Sequence, residues 1–183
     1  MSSLGNPWQT LASSVKYVTR WFSVREDDVI RPDGQRGTYS VVRAERVATG
    51  IVAVWPDESV TLVGQFRYAV NEYSWEIPEG GGAFDVDPIE IARRELHEET
   101  GIRAGTWTLL GRVHTSNCFV DEVCYIYLAT DLAPGVARPD PEEVLQTQRV
   151  PLERAISMAR DGSITDAITI AGLFWTWAMR RSG

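Results

Sequence analysis

Glu95, Glu98 and Glu99 are the residues of this chain best placed to do chemistry. On a helix, positions i, i+3 and i+4 share one face, so the three carboxylates stand together. Like charges at that spacing destabilise an isolated helix by about 0.2–0.5 kcal/mol per pair. In the C-terminal half of a helix the macrodipole disfavours them further. A divalent cation would remove both penalties. Mg²⁺ is suited to it, since it takes carboxylate oxygens and waters and is commonly shared with substrate phosphates. The plainer alternative is a solvated charged face, with Arg93 and Arg94 pairing to acids one turn away. The glycines just before the segment, Gly80, Gly81 and Gly82, favour the cation, because they let main chain approach a ligand closely.

The elements that must position these acids can be read from local signals. Asp87 is a suitable N-cap, Pro88 a suitable first helical residue, and Glu90 stands at capping-box spacing from Asp87. A helix is therefore expected over Pro88–Thr100, ended by Gly101 with positive φ. Residues 79–83 read as a glycine-rich loop. Residues 24–30, 38–46, 51–55, 61–66, 107–114, 122–129 and 144–150 read as strands, with turns at 31–34 and 57–59. Residues 133–141 read as a proline-rich surface loop. Residues 151–160 and 165–180 read as helices, the second with Ile168, Ala171, Trp175 and Ala178 on one face. The pattern implies an α/β or α+β fold, with helices flanking a mixed sheet.

At 183 residues the chain fits one domain. With 44% hydrophobic and 23% charged residues it has the balance of a soluble globular protein. A net charge of −7, from 25 acidic and 18 basic residues, disfavours nucleic acid as a partner. No apolar run is long enough to span a bilayer and residues 1–9 lack signal-peptide features, so no membrane partner and a cytoplasmic location are expected. Cys118 and Cys124 read as small hydrophobes in or near a strand.

The segment resembles the Nudix box, G-x5-E-x7-R-E-U-x-E-E-x-G-U, with U a bulky aliphatic residue. Gly80 matches its first glycine, Arg94-Glu95-Leu96 its R-E-U, Glu98-Glu99 its acidic pair, and Gly101-Ile102 its end. The isolated glutamate of the motif falls on Val86, which puts the support of Arg94 in question; Asp85 and Asp87 flank the position and are the candidate substitutes. Residues 62–68, 75–81 and 162–166 look like the hydrolases of ADP-ribose and nucleoside diphosphate sugars, and the likeness covers about residues 40–180.

The resemblance implies an α/β/α sandwich with a mixed sheet, preceded by N-terminal antiparallel strands. It implies an N-terminal strand region over 1–45, expected to dimerise, and a Nudix hydrolase domain over 46–183. Mg²⁺, with Mn²⁺ as an alternative, would be held by Glu95, Glu98, Glu99 and the main-chain carbonyl of Glu79. The metal would polarise the diphosphate and activate water. The proton acceptor could be Glu98, Glu99 or a loop carboxylate, and Glu122 is preferred to Asp121 as the last. Arg67, Glu76, Gly80, Gly81 and Arg94 would bind substrate: Arg67 at the diphosphate, which suits its bidentate geometry, and Glu76 at the nucleoside or sugar. Trp21, Phe22 or Tyr73 are candidates for stacking on the base. His97 reads as an exposed helix residue and His114 as a strand-end residue able to approach substrate. The expected reaction is Mg²⁺-dependent cleavage of a nucleoside diphosphate sugar, ADP-ribose and ADP-glucose included, to a nucleoside monophosphate and a sugar phosphate. The expected partners are that small nucleotide and a second copy of the chain, in a homodimer. The competing readings are a nucleotide sensor without catalysis and a pyrophosphatase of triphosphates or dinucleotides.

Overall fold

β-branched and aromatic runs separated by polar turns supply most of the ten strands, which join three helices among the described residues. The structure, a computed structural model, describes residues 5–141 and 143–181. These divide into two compact units.

The first unit contains residues up to 46 together with Ser116–Glu122. Strands β1 (Gln9–Val18), β2 (Phe22–Ile30) and β3 (Arg36–Ala44) form an antiparallel meander. At the β2–β3 turn Gly34 takes φ 80°. The 116–122 segment runs beside β3, where the Val42 N–H donates to the Phe119 carbonyl at 2.7 Å and the Asp121 N–H to the Val42 carbonyl at 3.1 Å. The guanidinium groups of Arg20 and Arg46 each lie 4.5 Å from the centroid of the Trp21 ring. Trp8, Leu11, Val15, Tyr17, Val18, Trp21 and Phe22 are exposed.

The second unit is a sandwich. Strands β4 (Val47–Ala53), β7 (Glu79–Gly82), β8 (Arg103–His114) and β9 (Val123–Ala133) form a mixed sheet in the order β7-β4-β9-β8, with β4 and β9 parallel. Strands β5 (Ser59–Arg67), β6 (Glu72–Glu76) and β10 (Gln146–Pro151) form an antiparallel sheet in the order β10-β5-β6. Successive strand residues face opposite ways, and the packing follows that alternation. Ile51, Ala53, Tyr127 and Ala129 pack with Ala92 and Leu96 of helix α1 (Pro88–Thr100). Val52, Val54, Ile126 and Leu128 pack with α2 (Leu152–Asp161) and α3 (Ala167–Arg181). Residues 49–54 are buried throughout because both faces of the sheet are covered.

The expected mixed α/β fold with leading antiparallel strands is therefore present. The structure corrects the reading of residues 79–83 as a loop. Glu79–Gly82 is a strand, because its main chain pairs with β4 in register Gly50↔Glu79 and Thr49↔Gly80. Strand β6 and the individual extent of β1 were not foreseen. Among the described residues, no helix is long and apolar enough to cross a membrane.

Leu96 is fully buried between α1 and the mixed sheet. Leu96→Ala should lower the unfolding free energy by about 2–5 kcal/mol through lost transfer energy and a residual cavity. Urea unfolding checks this, with an unchanged denaturant slope expected.

Candidate functional site

Helix α1 begins where the Asp87 side chain accepts the Ile89 N–H at 3.1 Å, with Pro88 as its first residue. It ends at Gly101, whose φ of 73° lets its N–H reach the His97 carbonyl at 2.8 Å. Its buried face consists of Ile91, Ala92, Leu96 and Glu99. A glutamate thus shares the face that seats the helix on the sheet, where an apolar residue would be ordinary.

The strand under that helix explains the glycines. Side chains alternate along β7 and the residues before it. Ile77 packs in the core beneath α3 and the Glu79 side chain reaches Thr169 on that helix, whereas positions 80 and 82 face α1. A Cβ on Gly80 would lie 2.1 Å from the Glu95 carboxyl carbon, and one on Gly82 would lie 2.6 Å from Ile91 Cδ1. Glycine is needed here for close approach.

The main chain of Glu79 is also set by the ladder. The Ile51 N–H donates to the Pro78 carbonyl at 2.9 Å, which marks that pair as hydrogen-bonded. Pairs alternate in an antiparallel ladder, so Gly50↔Glu79 is a non-hydrogen-bonded pair and the N–H and C=O of Glu79 point away from β4. The N–H accordingly donates to Glu99 Oε2 at 3.2 Å. The carbonyl leaves the same strand edge, beside the acidic face of α1.

Burial raises the Glu95 carboxyl above the ordinary glutamate value, against the hydrogen bond from Arg94, which lowers it. Burial, then the Glu95 charge, pushes Glu99 up to about 8, while the bond from the Glu79 N–H opposes the shift. Both carboxyls have been withdrawn from water without a full counter-charge. The nearby cation is Arg94, which donates to Glu95 and to the Gly81 carbonyl at 2.9 Å and lies 3.5 Å from Glu98. Among the described residues no three acidic, histidine or cysteine side chains already converge on a cation position. The group still fits a hard divalent cation: its donors are all oxygens, two carboxyls are under-neutralised, and an edge peptide presents a carbonyl beside them. Val86 is exposed, and Asp87 is engaged in capping the helix, so the support of Arg94 comes from Gly81, Glu95 and Glu98.

Further acids lie behind this edge. The Glu79 carboxyl accepts from the Thr169 hydroxyl at 3.1 Å and hydrogen-bonds with Asp166. Burial, followed by the Asp166 charge and hydrogen bond, raises it well above the ordinary value. Arg67 donates from Nε to Glu76 Oε1 at 3.0 Å, and Glu76 is buried. The Arg67 guanidinium is held firmly protonated by Glu76 first, against desolvation, and then by Glu79 and Asp166. The sequence-expected substrate residues Arg67 and Glu76 are thus paired with each other. Glu143, in the loop before β10, is raised by burial and then by Asp140, and its charge acts on Glu95 and Glu99.

The structure brings together Glu79, Gly80, Gly81, Arg94, Glu95, Glu98 and Glu99. Glu122 is half-buried in the segment that belongs to the first unit. Tyr73 stacks edge-on against Trp75 at 5.6 Å. His97 is half-buried, with its ring on the Gly101 carbonyl at 3.2 Å. Cys118 is exposed and Cys124 buried, and neither is in a disulfide. Sequence reasoning missed Thr169 and Glu143. The one signal for Thr169 in the sequence is the 162–166 motif ahead of α3.

Residues 44–171 match the model of the NUDIX domain, and residues 8–42 that of the nucleoside diphosphate sugar hydrolase N-terminal domain. The chain is 34% identical over 172 residues to an ADP-ribose pyrophosphatase of Mycobacterium tuberculosis, covering 91% of this chain and 81% of the relative. It is 30% identical over 159 residues to the ADP compounds hydrolase NudE of Escherichia coli, covering 85% and 84%. A solved structure, the crystal structure of an ADP compounds hydrolase, superposes with a TM-score of 0.87 at 24% identity, covering 99% of this chain and 98% of that one, and shares its fold.

The raised Glu99 value has a stability consequence. Its native carboxyl binds a proton more tightly than the unfolded one, so its contribution is fully present below about pH 4.5 and is lost as pH rises through about 8. In chelator, Glu99→Gln should therefore gain stability relative to wild type between pH 5 and pH 8.5, as followed by thermal unfolding. A difference that stays flat with pH would refute the assignment.

Proposed function

Since the chain belongs to the Nudix hydrolase family, we propose that it cleaves the pyrophosphate bond of nucleoside diphosphate sugars, ADP-ribose or ADP-glucose among them, with Mg²⁺ as its cofactor. The products are a nucleoside monophosphate and a sugar phosphate. The observation that carries this reading is the under-neutralised pair Glu95 and Glu99, set against the outward peptide of Glu79 on a glycine edge. The names of the relatives, an ADP-ribose pyrophosphatase and an ADP compounds hydrolase, support the substrate class.

Glu95, Glu98, Glu99 and the Glu79 carbonyl are the groups that would hold the cation, with Mn²⁺ as a substitute. Bound there, it supplies Lewis-acid polarisation of a phosphoryl oxygen and a lowered pKa for a bound water. The protein's own part is placement and proton transfer. Arg94 pairs with Glu95 and Glu98, and on that pairing we assign it to hold these carboxylates and meet a substrate phosphate. Gly80 and Gly81 keep the edge low enough for a diphosphate to lie along it. Arg67, half-exposed and balanced by Glu76, offers its remaining N–H donors to the diphosphate. Glu143 is the acid in the loop before β10 whose charge reaches the box, and on that electrostatic contact we assign it the proton-acceptor role alongside Glu98 and Glu99.

The exposed apolar residues of the first unit, Leu11, Val15, Tyr17 and Val18 among them, suit burial against a second copy. The wild type should sediment as a dimer, and Val15→Asp should shift it toward monomer. A monomeric wild type would remove the homodimer from this reading.

A substrate panel tests the activity directly. Incubation with Mg²⁺ and ADP-ribose, ADP-glucose, UDP-glucose, GDP-mannose, NADH or a nucleoside triphosphate should release phosphatase-sensitive product from the nucleoside diphosphate sugars. Turnover confined to triphosphates would overturn the substrate class, and binding without turnover would favour a sensor. Glu98→Gln and Glu99→Gln should each lower kcat by about 10²–10⁴-fold with unchanged far-UV circular dichroism.

A further inference from the structure

The 162–166 segment and the helix it leads into remain without a role in this reading. Asp166 caps α3, its Oδ2 accepting the Thr169 N–H at 2.6 Å. That places Thr169 in the first turn, fully buried. Its hydroxyl accepts the Ile77 N–H at 3.0 Å and donates to Glu79 Oε1 at 3.1 Å, bridging the approach to β7 and its first residue, about ninety positions away. Asp166 itself hydrogen-bonds the Glu79 carboxyl.

The helix is seated close enough to do this because a glycine stands on each side of the contact, Gly50 in β4 and Gly172 in α3 itself. A Cβ on Gly50 would meet Ile168 Cγ2 at 2.7 Å, and one on Gly172 would meet Val52 Cγ2 at 2.9 Å. Ordinary helix–sheet packing needs no polar grip on the neighbouring main chain. Here one buried hydroxyl satisfies a main-chain donor and a side-chain acceptor at once, on either side of Pro78. The N–H of the gripped residue meets Glu99 on α1. Glu79 is thus fixed from two sides, its side chain by α3 and its peptide by α1.

We propose that Thr169, oriented by the Asp166 cap, is a positioning residue that fixes the Glu79 peptide so that its carbonyl aligns with the carboxylates of α1, making cation affinity depend on the opposite face of the sandwich. The proposal rests on the cation reading above. Its distinct content is that a residue touching neither cation nor substrate sets the affinity.

The test is Mn²⁺ binding to the whole protein, without substrate, read by electron paramagnetic resonance of free Mn²⁺. Thr169→Val, close in size but unable to bridge, should raise the Mn²⁺ Kd about tenfold or more. Thr169→Ser should restore the wild-type value. Thr176→Val is the control: Thr176 is a buried threonine on the same helix, whose hydroxyl has no hydrogen-bond partner among the described residues. It should leave the Kd unchanged. Thermal unfolding of each variant reports the fold, and Thr169→Ala carries the same comparison should the valine variant fail to fold. An unchanged Kd in the folded hydroxyl-less variant, or an equal loss in Thr176→Val, overturns the clamp. If instead wild type and Glu99→Gln bind Mn²⁺ equally weakly, the cation reading itself falls and takes the clamp with it.

Discussion

The withdrawal of the Glu95 and Glu99 carboxyls from water is the constraint around which the second unit is organised. An ionised carboxylate taken out of water without a partner carries a penalty of several kcal/mol. Local helix preferences give no reason to accept it, since Glu99 occupies a position on the buried face of α1 that an apolar side chain could fill. The surrounding chemistry reduces the penalty by pieces: a peptide N–H from Glu79, a guanidinium from Arg94, and the tighter hold of Glu99 on its proton. None of these neutralises both acids. A small oxygen-seeking cation would.

Everything near that pair follows from bringing a helix hard against the edge of a sheet. The strand beneath must lack side chains on one face, hence Gly80 and Gly82. Its main chain must be tied to β4 on one side and present its polar groups on the other, hence the position of Glu79 in the ladder. Both faces of β4 must be covered, by α1 on one side and α3 on the other, so the acids rest on a core that does not yield easily.

The legible parts of this arrangement were local. The bounds of α1 follow from Asp87, Pro88 and Gly101, and its acidic face follows from spacing alone. Strands rich in valine and isoleucine were recognisable for the same reason. The glycine strand was not, since four residues with little β-propensity become a strand only by pairing with β4, and pairing is not written in their neighbours. Thr169 was hidden because a threonine in a helix is unremarkable until its partners, far off in sequence, are known. Glu143 sits in a proline-rich loop whose acids look alike from sequence, and only folding selects the one whose charge reaches Glu95 and Glu99. Arg67 and Glu76 read separately from sequence, one for the diphosphate and one for the nucleoside or sugar; their mutual ion pair is a product of the β5–β6 hairpin and not of any motif.

Strand β7 ends its sheet with a short, nearly side-chain-free run of backbone. Such an edge is ordinarily an invitation for a second polypeptide to add itself by main-chain bonding, the route to fibrils and tangled aggregates. Here the vacant side is guarded by carboxyl groups, one of which already holds the Glu79 N–H. An intruding strand would have to displace that contact and lay its own carbonyls beside negative charge. The acids that would suit this edge to a small cation would thereby also oppose a second chain there, so the glycine border need not be a sticky one.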